Sequence, residues 1–276
     1  MTPLVDAIGV THRAIDPAQP LRIVSLVPSI TELLCALGLQ AWLVGRTGFC
    51  IHPAAQVRQI AKVGGTKDIN IEKVIALAPT HLIVNVDENP KAAVASLARH
   101  IPHVIVTHPL APCDNLGLYR LLGGIFGRTE QAEALCTEFQ AALLDCHAGP
   151  EARVLYCIWQ DPWMTISRDT YIARMLAQIG WQQWPSPAPA RYPVFEWSQD
   201  LRAEIDLILL SSEPYRFTQT HVLALTRQTG LPVRLLDGEM LSWYGSRAVA
   251  GLRYLQQLRC GAGDVAGAAG AAMNHF

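Results

Sequence analysis

Short, strongly apolar runs alternate with helical stretches along this chain, and the alternation occurs twice. In the first half, RIVSLV (22–27) reads as a buried strand, and Pro28 with Ser29 opens a helix through TELLCALG that ends at Gly38. WLVGR (42–46), HLIVNV (81–86) and HVIVT (103–107) read as strands, with helices at 70–78 and around 90–100. Alternation at this spacing predicts a parallel α/β lobe. From Asn115 to Cys146 the period changes. Leu118, Leu122, Ile125, Leu135 and Phe139 recur at helical spacing without an intervening proline, which predicts one unusually long helix, weakened locally by Gly123, Gly124 and Gly127. After AGP (148–150) the first pattern returns: strands at 153–159, 206–212 and 233–236, helices at 169–180, 221–230 and 246–258.

The expected fold is therefore α/β: two similar parallel-sheet lobes bridged by one long backbone helix. The expected boundaries are an N-terminal extension 1–20, a lobe 21–110, the connecting helix 111–148 and a second lobe 151–258. The small-residue tail 259–276 is expected to be disordered. The lobes read as weak copies of each other. INIEKVIALAPTHLIV and EWSQDLRAEIDLILL both set a helix just before a buried strand, and Asp200 falls where Glu72 sits. Clefts between domains are the usual place for small ligands.

Charge excludes one class of partner. Lys+Arg 22 against Asp+Glu 23 leaves a net −1, and Lys62, Lys67, Lys73 and Lys91 are interleaved with acids, so no basic face for nucleic acid is expected. The Leu33–Gly45 apolar stretch falls well short of the roughly 20 residues that span a membrane. Residues 1–20 lack the basic start and apolar run of a secretory signal, which predicts a cytoplasmic protein; a periplasmic one is the alternative if the true start lies upstream. The 7 cysteines include no CxxC pair and read as reduced or buried thiols.

Enzyme motifs are poor. GxSxG, GxGxxG after a strand, a P-loop and HExxH are all missing, and no catalytic residue is nominated. Gly64-Gly65-Thr66-Lys67 lacks phosphate-loop spacing and reads as a turn. His100, His103 and His108 form a loose cluster, with Cys50 and His52 elsewhere; strand-end or surface histidines are the favoured interpretation over a metal site. No resident metal or cofactor is expected. Aromatics are more informative. Trp159, Trp163, Trp181, Trp184, Trp197 and Trp243 all fall in the second half. Trp181 reads as core, whereas Trp163 and Trp243 sit in loops where tryptophan either packs on the core or lines a site. An aromatic-lined cleft suits a large, flat ligand such as a corrin or porphyrin.

RIVSLVPSITELLCALGL (22–39), Pro53, INIEKVIALAPTHLIV (69–84) and LLGGIFGRTEQAEAL (121–135) resemble the helical-backbone substrate-binding proteins that serve importers of cobalamin, haem and ferric siderophores. The resemblance covers about residues 21–258 and is nearest to the cobalamin-binding branch. It implies a non-enzymatic receptor that holds a corrinoid, or another metal chelate, between two lobes joined by a long helix. By position it implies ligand contacts at Ser29, Ile30, Phe49, Thr66, Lys67, Asn85, Trp163, Met164, Phe195 and Glu239, with Trp243 as a further aromatic. Thr66, Asn85 and Val194 stand where that branch tends to carry aromatics. The resemblance also implies docking to an ABC permease through Glu72 and Asp200, for which the alternative is two first-turn acids favoured by the helix dipole. Tyr244 and Arg247 in WYGSR raise a haem alternative, a tyrosinate ligand with a nearby arginine. A ferric-siderophore receptor and an enzyme of corrinoid or tetrapyrrole metabolism are the remaining alternatives.

Overall fold

A computed structural model describes residues 3–186 and 189–261. The chain divides into two compact units. The first takes Met1–Pro109, Cys113–Gln140 and Tyr244–Ala248; the second takes Leu110–Pro112, Ala141–Trp243 and Val249–Phe276.

The first unit opens with an antiparallel ribbon, β1 (Leu4–Val5) and β2 (Thr11–His12). Its main elements follow in order: β3 (Ile23–Ser25), α1 (Pro28–Ala36), β4 (Leu43–Arg46), α2 (Ala54–Val57), β5 (Ala61–Lys62), α3 (Ile71–Ala76), β6 (His81–Asn85), α4 (Lys91–Leu97), β7 (His103–Thr107) and α5 (Asp114–Ile125). α6 (Thr129–Asp145) carries the chain from the first unit into the second. The sheet runs β5-β4-β3-β6-β7, all parallel. Its strands are short and apolar on both faces, as a sheet covered by helices on each side requires. Val24, Leu26, Leu82 and Val84 meet Val74 and Leu97 in a core with no exposed side chain.

The second unit contains β8 (Ala152–Trp159), β9 (Met164–Thr165), α7 (Tyr171–Ala177), β10 (Trp181–Gln183), α8 (Gln199–Glu204), β11 (Leu207–Ser211), α9 (Gln219–Thr229), β12 (Val233–Leu236), α10 (Gly238–Ser242) and α11 (Arg247–Arg259). Here β10-β8-β11-β12 are parallel, and β9 folds back antiparallel on β8. The two sheets share one plan. In each, the first strand of the unit (β3, β8) lies beside the strand that follows a short capped helix (β6, β11), and the chain reverses its direction of travel across the sheet at that junction. α3 and α8 are those helices, capped by the Asn70 side chain on Lys73 N (2.9 Å) and the Ser198 side chain on Leu201 N (3.0 Å).

Three expectations change. The stretch from Asn115 to Cys146 is two helices rather than one. Gly127 takes φ 63°, a left-handed conformation that ends α5, and α6 starts two residues later. Residues 3–20 are part of the first unit rather than a separate extension: the buried Asp6 carboxylate accepts from Ile8 N, Val10 N and Val106 N and meets His12 Nε2 at 3.1 Å, fastening the ribbon to β7. Residues 244–248 return to the first unit although they follow the second in sequence. Gly245 N donates to Asn115 Oδ1 (2.6 Å), and Tyr119 Oη donates to Gly245 O (2.9 Å). A Cβ at Gly245 would lie 3.2 Å from both Leu33 Cβ and Ser29 O, and its φ is 81°, so only glycine suits the position. Of the tail expected at 259–276, residues 259–261 are described, with Arg259 still helical; the remainder lies outside the described residues.

Candidate ligand-binding site

In open parallel sheets ligands bind beyond the carboxyl ends of the strands, where the connections diverge. That rule selects the ends of β3 and β6 in the first unit and of β8 and β11 in the second.

At the first unit's strand ends, Asn89 ties three loops together. Its Oδ1 accepts from Asn85 N (2.9 Å), and its Nδ2 donates to Leu26 O and to Thr66 O (both 3.1 Å). Asn85 is buried; its Oδ1 accepts from Asp87 N and Glu88 N, and its amide is spent on holding this turn. Lys67 donates to Asp87 O (2.6 Å), and Thr66 is half-buried. Three apolar side chains remain open: Phe49 is 63 % exposed, with Ile51 and Val86 also largely exposed. Phe49 lies against Gly65, where an added Cβ would come within 3.3 Å of the ring, so the glycine leaves the aromatic its seat. Ile30 is fully buried in α1, which makes it core, and Ser29 is buried beside it.

The Tyr244–Arg247 segment belongs to this unit, and its tyrosine and arginine are both engaged. The Tyr244 phenol donates to Glu88 Oε1 at 2.7 Å. Burial first, and then the Glu88 carboxylate, hold its pKa well above the ordinary tyrosine value. Arg247 grips Glu32 with two bonds of 2.8 Å. In this arrangement the Tyr244 phenol and the Arg247 guanidinium, the two groups of the haem alternative, spend these bonds on Glu88 and Glu32.

In the second unit the expected aromatics form a packed set. Trp163 stacks on Phe217 (5.7 Å between centroids, 8° between planes) and meets Trp197 edge-on, and Phe195 is buried among them. Met164 is half-buried on β9. Trp243 is buried, and its Nε1 donates to Glu213 Oε1 (3.0 Å). At the strand ends Trp159, the last residue of β8, is open, 40 % exposed and edge-on to Tyr215 at 5.4 Å. Ser212, Glu213, Leu235, Leu236, Asp237 and Glu239 line a cavity of about 350 Å³. Glu213 also accepts from Ser242 Oγ (2.6 Å). Burial pushes the Glu213 carboxyl above the usual carboxylate range; the Ser242 bond opposes this, and Glu239 and Asp237 add to it.

Glu72 and Asp200 are exposed in the first turns of α3 and α8. Of the histidines, His103 opens β7 stacked on His81, far along the sheet from the strand ends. Cys50 is buried, its Sγ 3.1 Å from both Thr31 and Thr47 hydroxyls. Among the described residues no group of three or more His, Cys, Asp or Glu is placed to hold a metal ion. Sequence reasoning missed Asn89, Glu213, Val86 and Trp159 as site residues. Trp159 had a signal, since a strand's last residue at a divergence point faces the ligand end.

Two α/β units that present open apolar and aromatic groups at their strand ends define a ligand-binding protein. The periplasmic binding protein family pattern matches residues 23–227, and the chain belongs to that family. It is 24 % identical over 236 residues to the vitamin B12-binding protein of Pectobacterium carotovorum, covering 83 % of this chain and 85 % of that one. An uncharacterized ABC transporter substrate-binding lipoprotein of Bacillus subtilis is 29 % identical, covering 62 % and 60 %. The periplasmic vitamin B12-binding protein BtuF of Vibrio cholerae superimposes with a TM-score of 0.73 at 20 % identity (87 % and 97 % covered). The periplasmic haem-binding protein RhuT of Roseiflexus does so with 0.75 at 21 % (89 % and 100 %). The cytoplasmic expectation is corrected by these comparisons, in which BtuF and RhuT are named as periplasmic and the Bacillus protein as a lipoprotein. Among the described residues no helix is long and apolar enough to cross a membrane.

Proposed function

We propose that this protein is a non-enzymatic receptor for a corrinoid, delivering it outside the cytoplasm to an ABC importer, with no resident cofactor. The observation that carries the choice of ligand is the acidic character of the strand-end loops, with Arg247 committed to Glu32. A haem receptor needs cations for two propionates, and a ferric siderophore usually brings net negative charge. Here the strand-end loops carry Asp87 and Glu88 in one unit and Glu213, Asp237 and Glu239 in the other. Such groups repel anions and accept hydrogen bonds from the amide side chains that surround a corrin. Phe49 and Val86 in the first unit, and Trp159 in the second, are open apolar groups of the kind that pack on the flat faces of such a ring.

Calorimetric titration with cyanocobalamin beside hemin and a ferric hydroxamate tests this choice, and heat from cyanocobalamin alone is the expected result. Glu72 and Asp200 are proposed as the permease contacts, supported by their matching exposed positions on capped helices at the same point in each unit. Glu72→Gln with Asp200→Asn is expected to leave ligand affinity unchanged while lowering ligand-dependent ATPase stimulation of the reconstituted importer. Stimulation unchanged by both substitutions would remove them from the interface.

A further inference from the structure

His108 follows β7, and its Nε2 lies 3.3 Å from Asp87 Oδ2 on the neighbouring β6 loop. That nitrogen has no exposed surface and makes no hydrogen bond, Asp87 being an ion-pair contact, yet the His108 side chain as a whole is 23 % exposed. The open part of the ring therefore lies away from Nε2, and Nδ1 is the nitrogen left to meet a ligand. A carboxylate beside the far nitrogen is the usual setting of a metal-binding histidine: when the two align in a hydrogen bond, the carboxylate fixes tautomer and ring orientation and raises the basicity of the other nitrogen. His12 faces Asp6 at a similar distance, but that ring is buried under the N-terminal ribbon. Val86, exposed on the neighbouring β6 loop, gives a flat ligand an apolar surface at the same end of the sheet.

We infer that His108, oriented by Asp87, coordinates the metal of the cargo, so that the receptor prefers corrinoids carrying an exchangeable axial ligand. The inference rests on the corrinoid reading and sharpens it. The step is a simple substitution. The Nδ1 lone pair forms a bond to Co(III), the cobalt–water bond breaks, and water leaves with its electron pair. The cobalt keeps its oxidation state, and the imidazole proton stays on Nε2 toward Asp87. A single histidine is enough because the corrin supplies the equatorial ligands, in keeping with the lack of any larger metal-binding cluster among the described residues.

The test is absorption spectroscopy of the whole protein titrated with aquacobalamin and, separately, with cyanocobalamin, whose axial positions are already filled. The expected result is a shift of the corrin bands from the water-ligated to the imidazole-ligated form with aquacobalamin, and binding without a shift with cyanocobalamin. His108→Ala abolishes the shift, and Asp87→Asn weakens aquacobalamin binding by about 10-fold, as loss of a supporting carboxylate does elsewhere. Thermal unfolding checks that both variants fold. Binding of aquacobalamin with an unchanged spectrum, or a shift that survives His108→Ala, overturns the inference and leaves the corrinoid reading standing. Failure of the wild-type protein to bind either corrinoid overturns both.

Discussion

At the scale of single residues, the open aromatics and the locked ones have different jobs. Phe49 and Trp159 keep much of their surface in solvent, so truncation removes contact area for a ligand and little packing. Phe49→Ala and Trp159→Ala are expected to weaken ligand binding about 10-fold each, with urea midpoints nearly unchanged. Trp163 and Trp243 behave the other way. One is stacked on Phe217 and the other bonded to Glu213, so their alanine variants lose roughly 2–4 kcal/mol of stability in urea unfolding. A Trp163→Ala protein as stable as wild type would contradict this division. His81 supplies a pH dependence. Burial, with His103 and His12 nearby, lowers its pKa to about 4, against about 6.5 in the unfolded chain. The unfolded state therefore binds the extra proton between those values. Stability is complete above pH 6.5, falls as the pH drops toward 4, and loses nothing more from this group below that. His81→Leu is expected to flatten that limb in urea midpoints measured from pH 7 to 4. The residue scale is also where sequence told least. The loops holding Thr66, Asn85 and Tyr244 could be located, but whether a side chain faces a ligand or spends its bonds on the loop depends on partners far away in the chain. Glu88 and Tyr244 are an example.

At the scale of elements, periodicity located β7 and β12 to the residue and most long helices to within a few. The two-residue strands β1, β2, β5 and β9 carry no readable period, because alternation needs several residues to show itself. The break between α5 and α6 was visible as Gly127 but was outweighed by the helical spacing on both sides. Nothing lies within 4 Å of a Cβ added there, so Gly127→Ala pays only for its left-handed backbone. It should cost about 1 kcal/mol in urea unfolding without fusing the helices. The N-terminal ribbon depends on one buried carboxylate. Asp6→Ala strips the acceptor from three backbone N–H groups and from His12, a loss of roughly 2–4 kcal/mol. Residues 4–12 should then exchange amide hydrogens much faster while β6 and β7 stay protected. Unchanged exchange in the ribbon would show that other contacts hold it.

At the scale of the whole molecule, the twofold recurrence of the α/β pattern was the most legible feature. It survives as two sheets with the same strand order around a central junction, and the acids Glu72 and Asp200 sit at matching points of that plan. The return of residues 244–248 to the first unit was not legible, because it rests on bonds from Gly245 to Asn115 and from Tyr119 to Gly245, across more than a hundred residues of sequence. Ligand class lies between these extremes. Aromatic content suggested a flat tetrapyrrole-like molecule, and the proposed choice of a corrinoid over haem rests on the acidic strand-end loops and on Arg247 being committed to Glu32. The decisive measurement is therefore calorimetry of the purified, ligand-free protein with cyanocobalamin and with hemin, under one set of conditions. One-to-one binding of cyanocobalamin at micromolar affinity or tighter, with hemin weaker, is what the acid-lined strand ends predict. Tight hemin binding with no heat from cyanocobalamin would contradict the account.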